Sequence, residues 1–174
     1  MLELKDFEAA ADRLKNVIHN IPLSTSCTAM TGAEVYLKYE NQQKTGSFKV
    51  RGAYNKIMKR FAEGDLHAVV ASSAGNHAQG VAYAAHRFGI PATIVMPKTA
   101  PIAKAKATEG YGATVVLAGD CYDDAYARAR EICEQEHATF LHPYNDPEVI
   151  AGQGTLGLEI LGDLPTADVV IVPA

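Results

Sequence analysis

Lys49 and Arg51 lie in the stretch "TGSFKVRGA" (45–53), in which Thr45 and Gly46 read as a turn, Ser47 as a helix cap and Phe48 through Met58 as a helix. A serine at such a cap accepts a hydrogen bond from a first-turn backbone N–H. Lys49 then falls at the positive end of the helix dipole, where a cation is disfavoured by roughly 0.3–1 kcal/mol. The dipole and the nearby guanidinium both favour the uncharged amine. An uncharged lysine is a nucleophile that condenses with carbonyl compounds. On its neighbours alone, Lys49 is equally well read as a nucleophile or as a structural, solvated lysine.

A second candidate is "SSAGNHAQG" (72–80), which directly follows an apolar run and opens a helix. Its small residues permit a tight turn, and the free N–H groups of the first helical turn make a carboxylate or phosphate site. The plainer alternative is a strand-to-helix bend in which Gly75 serves only the turn. It is not a phosphate loop of the Walker type, because Val81 and Ala82 follow Gly80 where Lys and Ser/Thr are required. "GQGTLG" (152–157) matches a dinucleotide fingerprint by letter, but Pro147 and Glu148 precede it rather than a strand, so that reading is rejected. The six histidines show no metal-ligand spacing, and no metal site is expected. His77 reads either as functional or as a side chain bonded to backbone; His19, His67, His86, His137 and His142 read as surface or boundary residues. Ser72 and Ser73 lack the G-x-S-x-G elbow of an acyl-transfer serine.

The elements that must position these residues follow from the pattern of apolar runs. "AVVAS" (68–72), "ATIVMP" (92–97), "ATVVLAG" (113–119) and "ATFLHP" (138–143) are strand-like and bounded by Gly, Pro or Ser. Their starts lie roughly twenty to twenty-five residues apart, enough for a strand, a helix and two loops. Helical segments fill the gaps: Asn76 to Phe88, Ile102 to Glu109, and Tyr122 to His137, the last with Ala125, Ala129, Ile132 and Cys133 on one face. This alternation predicts an α/β fold, an open parallel sheet with helices on both faces. Before it come an amphipathic helix carrying Phe7, Ala11, Leu14 and Ile18 and a hairpin over "AEVYLKYENQQ". After it come a helix over "PEVIAGQGTLGLEILGDL" and a strand, "ADVVIVPA". Ligands of open α/β sheets bind beyond the carboxyl ends of strands. The sequence ends where such a loop should begin and reads as cut off inside a second domain.

The 174 residues are 48% apolar and 21% charged, as in a globular protein, and sixteen basic against twenty acidic residues leave a net charge of −4. The basic residues are scattered and nucleic-acid signatures are absent, so no nucleic-acid partner is expected. Cys27, Cys121 and Cys133 form no C-x-x-C pair and read as reduced, buried or neutral filler. The N-terminus is too charged for a signal peptide, and no run approaches the ~18 apolar residues of a membrane span. A cytoplasmic protein without a membrane partner is the expectation.

Three separated motifs, "KYENQQKTGSFKVRGA", "SSAGNHAQGVA" and "AGQGTLGLEI", occur in an order that resembles the pyridoxal-phosphate enzymes of the serine/threonine dehydratase family, over residues 22–173. The resemblance implies the tryptophan-synthase-β type of fold: a small α/β domain at 47–147, set into a larger, incomplete domain formed by 1–46 and 148–174. It makes Lys49 the lysine that carries pyridoxal 5′-phosphate and moves the Cα proton. Phe48 matches the aromatic beside the pyridine ring, and Asn76 the partner of the 3′-hydroxyl. Ser73, Ala74, Gly75, Asn76 and His77 match the loop that receives the substrate carboxylate.

The activity implied is α,β-elimination of water from a small-molecule amino acid. L-threonine would give 2-oxobutyrate and ammonia, and L-serine pyruvate and ammonia, in isoleucine biosynthesis or threonine catabolism. Similar racemases carry a serine where this sequence has Ala74, which argues against a serine-racemase-like enzyme working through two bases. The family's tetraglycine phosphate loop and its pyridine-nitrogen partner lie outside these 174 residues, so an inactive anion- or partner-binding fragment is the other reading for the isolated chain. The flanking segments, before Lys44 and after Pro147, are expected to be mobile or to pair between copies in a homo-oligomer.

Overall fold

Each apolar run of the central unit becomes a strand that alternates with a helix. The computed structural model describes residues 1–24 and 28–172. Cys27 and the last two residues of the expected terminal strand lie outside that range. The elements, in chain order, are α1 (Leu4–Leu14), α2 (Thr28–Thr31), two short 3₁₀ turns (Glu40–Gln42 and Lys44–Gly46), α3 (Lys49–Glu63), β1 (Val69–Ser72), α4 (Asn76–Arg87), β2 (Ala92–Met96), α5 (Ile102–Gly110), β3 (Thr114–Leu117), α6 (Tyr122–Gln135), β4 (Thr139–Phe140) and α7 (Pro147–Asp163).

All four strands are parallel and lie in the order β3-β2-β1-β4. Alternation along the strands sorts their side chains between two faces. Val69, Ala71, Ile94 and Met96 pack against α3 and α4 through Ala53, Ile57, Val81 and Ala85. Val70 and Val95 point the other way, onto Ala125, Ala129, Ile132 and Cys133 of α6. The doubly covered sheet expected from the strand pattern is therefore present, with the predicted α6 face against it. β3, at one edge, is only partly covered and leaves Leu117 half exposed.

Two expected elements are absent among the described residues. Residues 33–43 form no hairpin. One antiparallel bridge joins Ser24 to Leu37, and the chain then turns through Glu40–Gln42. That turn sends Glu40 inward to a buried arginine, a long-range pairing that outweighs the local alternation of apolar residues. Nor do residues 167–172 form a strand; they run unpaired, with Val169, Val170, Ile171 and Val172 exposed. A strand exists through its neighbours rather than through its own apolar character, and none of the four strands lies beside this segment.

The flanking helices are not loose. α1 and α7 pack on α3, burying Ala10, Leu14, Val149 and Ala151. Where α7 crosses α3 the backbones nearly touch: a Cβ on Gly152 would stand 2.6 Å from the Arg51 carbonyl oxygen, and one on Gly52 2.6 Å from that of Val149. Of the glycines of "GQGTLG", Gly152 brings α7 onto α3 and Gly154 makes room for the Phe7 ring of α1.

Candidate active site

The strand order reverses between β1 and β4, so the loops leaving these neighbouring strands run apart and open a crevice, the usual ligand position of an open α/β sheet. The loop after β1 is Ser73–Gly75, leading into α4; the segment after β4 is 141–146, leading into α7. Lys49 is the first residue of α3, and its Nζ donates to the Pro143 carbonyl at 2.9 Å, at this crevice. Ser47 Oγ accepts from the Lys49 N–H at 3.3 Å, but the cap position itself is Phe48, because the helix begins one residue later, and it ends five residues later, than its spacing suggested. The Lys49 ammonium lies 5.3 Å from the Phe48 ring centroid.

Burial of Lys49 lowers its pKa and favours the uncharged amine. The expected contribution of Arg51 to that shift is not what the fold provides. Arg51 is fully buried and donates to both Glu40 oxygens (2.8 and 2.9 Å), to both Glu159 oxygens (2.6 and 3.1 Å) and to Thr155 Oγ1. Burial opposes the guanidinium charge, but the two carboxylates outweigh it and hold Arg51 above its ordinary value. Burial likewise opposes the charge of Glu159, yet the hydrogen bonds from Arg51 and Lys38 keep it below the ordinary range. With its charge neutralised by two carboxylates, Arg51 locks Glu40–Gln42, α3 and α7 together.

The glycine-rich loop reaches the same corner. A Cβ on Gly80 would sit 3.1 Å from the Lys49 carbonyl, so α4 crosses α3 within one turn of its own N-terminus. Ser73 Oγ accepts from the Gly75 N–H at 3.2 Å and closes the turn. Ala74 is half-buried against the core, Asn76 is exposed, and no side chain caps α4. The imidazole of His77, by contrast, is buried. Its Nε2 meets the Leu141 carbonyl at 3.0 Å, and burial pushes its pKa down to about 4, the Leu141 bond opposing and Lys49 adding to the shift. Of the two readings of His77, the Nε2 contact fits the backbone-bonded one, while Nδ1 is buried without a hydrogen-bond partner. Cys133 is buried as expected and donates to the Ala138 carbonyl; Cys121 is exposed and caps α6.

Sequence reasoning passed over the Pro143 carbonyl, Lys56 and Asp146. Lys56 Nζ is held by the Phe140 carbonyl and the Asp146 carboxylate, which also caps α7. The one available signal was spacing, since Lys56 follows Lys49 by seven residues on a single helix.

An amine whose pKa burial lowers, an aromatic ring beside it and an uncapped helix N-terminus together suit an aldehyde cofactor that carries a ring and anionic groups. Residues 14–174 match the family described as pyridoxal-phosphate dependent enzymes. The chain belongs to this family, whose cofactor is pyridoxal 5′-phosphate, and has its tryptophan-synthase-β-like fold. It is 57% identical over 175 residues to the L-threonine ammonia-lyase of Thermotoga maritima, covering 99% of this chain and 44% of that protein. Among solved structures it resembles the T.th. threonine deaminase, with a TM-score of 0.86 and 40% identity over 97% of this chain and 54% of that one. Maize serine racemase follows the same fold, with a TM-score of 0.89 and 35% identity over 95% of this chain and 51% of that one. The chain spans about half the length of the curated relatives it matches. Among the described residues no helix is long and apolar enough to cross a membrane, and no cluster of His, Cys, Asp and Glu gathers to hold a metal.

Proposed function

We propose that this chain is the N-terminal part of a cytoplasmic, homo-oligomeric threonine/serine dehydratase that eliminates water from L-threonine, and from L-serine, to give a 2-oxo acid and ammonia. The observation that carries the reading is the Lys49 amine, partly desolvated beside Phe48 and held at the mouth of the switch-point crevice by Pro143. The names of its relatives agree with it. Residues 47–147 then form the small domain, and 1–46 with 148–174 belong to a larger one.

When bound, the cofactor supplies an electron sink for negative charge at the substrate Cα. Lys49 would carry it, and the Lys49 amine, once released, would take the Cα proton at Nζ. Burial raises the fraction of that amine able to accept a proton near neutral pH. Phe48 would lie beside the cofactor ring, and the exposed Asn76 carboxamide would hold its 3′-hydroxyl. The uncapped N–H groups at Asn76 and His77, aided by the helix dipole, would receive the substrate carboxylate, with Ser73, Ala74 and Gly75 shaping the turn beneath it. Ala74 offers no acid or base opposite Lys49, which favours elimination over two-base racemisation.

The test compares the purified chain and its Lys49→Ala variant after addition of pyridoxal phosphate and borohydride. A reduced adduct mapped to Lys49, with 2-oxobutyrate formed from L-threonine, is the expected result. An adduct without turnover of threonine or serine would leave cofactor binding and remove the dehydratase reading of the isolated chain. No adduct at Lys49 and no difference between the two proteins would make this chain a scaffold with an unused lysine.

A further inference from the structure

Three basic side chains converge on the short segment that follows β4. Lys56 Nζ donates to the Phe140 carbonyl at 3.1 Å and pairs with the Asp146 carboxylate; His77 Nε2 donates to the Leu141 carbonyl at 3.0 Å; Lys49 Nζ donates to the Pro143 carbonyl at 2.9 Å. Asp146 divides its oxygens, Oδ2 going to Lys56 and Oδ1 to the N–H groups of Glu148 and Val149 at the start of α7. Inside the segment, His142 Nδ1 accepts from the N–H groups of Tyr144 and Asn145 at 3.3 and 2.8 Å. The segment is thus tied at both ends and across its middle, and the Pro143 carbonyl is part of that frame.

Lys56 is buried, 7% exposed. A buried ion pair is a weak source of stability, because an apolar side chain of similar volume often does as well, whereas it does fix one arrangement of the groups it joins. Lys49 and Lys56 leave α3 on the same face, two turns apart. One therefore anchors the segment on which the other rests.

We propose that Lys56, together with Asp146, is a positioning residue for Lys49: it holds residues 140–146 so that the Pro143 carbonyl receives and orients the Lys49 amine. This rests on Lys49 being the reacting amine. An uncharged amine that donates to a fixed carbonyl keeps its lone pair turned away from that carbonyl. If the frame loosens, the amine turns toward water and holds its proton more firmly. Facing the Lys49 amine is His77 from α4; His77 in turn faces His142 and Asp146 of the segment, and His142 faces Asp146 and Lys56 of α3.

The experiment measures the titration of Lys49 in the cofactor-free chain by competitive acetylation across pH, reading the Lys49 peptide by mass spectrometry. Lys56→Met and Asp146→Asn should each raise the Lys49 midpoint by a unit or more, which lowers the neutral fraction at pH 8 about tenfold. Lys56→Arg should restore it, and Lys59→Met, at a half-exposed lysine of α3 that pairs with Glu148 and not with the segment, should leave it unchanged. Asp146→Asn separates the proposal from simple electrostatics. Losing a negative charge would by itself lower the midpoint, whereas a loosened frame raises it. A lowered or unchanged midpoint in a folded Asp146→Asn protein, checked by circular dichroism, overturns the proposal even if Lys56→Met does not fold. Borohydride trapping of pyridoxal phosphate on the wild-type chain keeps the two ideas apart. Label at Lys49 with unaltered titration in the variants removes only the positioning role; no label at Lys49 removes the reading beneath it.

Discussion

His77 shows how a residue chosen for its chemistry can be used for its shape. Its ring lies inside the protein with one nitrogen on the Leu141 carbonyl, and burial holds its pKa at about 4, against 6.5 for an ordinary histidine. Above the ordinary value the neutral ring serves both folded and unfolded chains. As pH falls below 6.5 the unfolded chain takes up a proton that the folded one refuses, and the loss is complete once pH passes below about 4. At pH 5 this single site should cost about 2 kcal/mol of stability. Thermal melts at pH 7 and pH 5 should show a smaller acid-induced drop for His77→Gln, which keeps a donor for Leu141 and has nothing to titrate. An unchanged drop would mean that the acid sensitivity lies elsewhere. Lys49 and the 73–77 loop stood out in the sequence because their chemistry is local, a cation at a helix start and small residues after a strand. The roles of Arg51 and Asp146 did not, because each depends on residues far along the chain, Arg51 on Glu159 and Asp146 on Lys56.

At the scale of elements, α3 carries the reactive lysine and is gripped by the helices on either side of it. Gly152 lets α7 in, and Gly80 lets α4 in. Gly152→Ala would drive a methyl group into the Arg51 carbonyl and the Gly52 Cα, both backbone, and should destabilise the fold by about 1–3 kcal/mol. Gly157, in the same helix, has open space around its Cα. Gly157→Ala should therefore stabilise by about 0.5–1 kcal/mol, through helix propensity alone. Urea melts of the two variants check the contrast, and equal effects would mean that the crossing is looser than it looks. The strands and main helices were legible because apolar periodicity reports burial. The hairpin over 33–43 was misread because its alternation does not reveal that Glu40 is drawn inward to Arg51.

For the whole molecule, protection should follow the packing rather than the position along the chain. Amides of β1, β2 and the α3-facing side of α7 lie in or against the core, whereas Val169–Val172 are exposed. Hydrogen exchange should find β1, β2 and α7 protected together, with residues 169–172 exchanging within seconds. Protection of 169–172 equal to that of β1 would mean that something covers this apolar stretch in solution. The expectation of loose flanks, before Lys44 and after Pro147, thus gives way where α1 and α7 pack on α3 and is kept for residues 169–172.

The glycine crossings also act as an index. By seating α3 against two other backbones, they set its rotation about its own axis as well as its position. Each residue advances a helix by about 100°. One residue inserted between Lys49 and Gly52 would leave the Gly52–Gly152 crossing in place, shift the backbone that Gly80 meets, and swing the amine about a quarter-turn away from Pro143. The same insertion in the turn after Gly64 would leave the amine where it is. The angular setting of the reactive nitrogen is thus written in the count of residues between a lysine and a glycine.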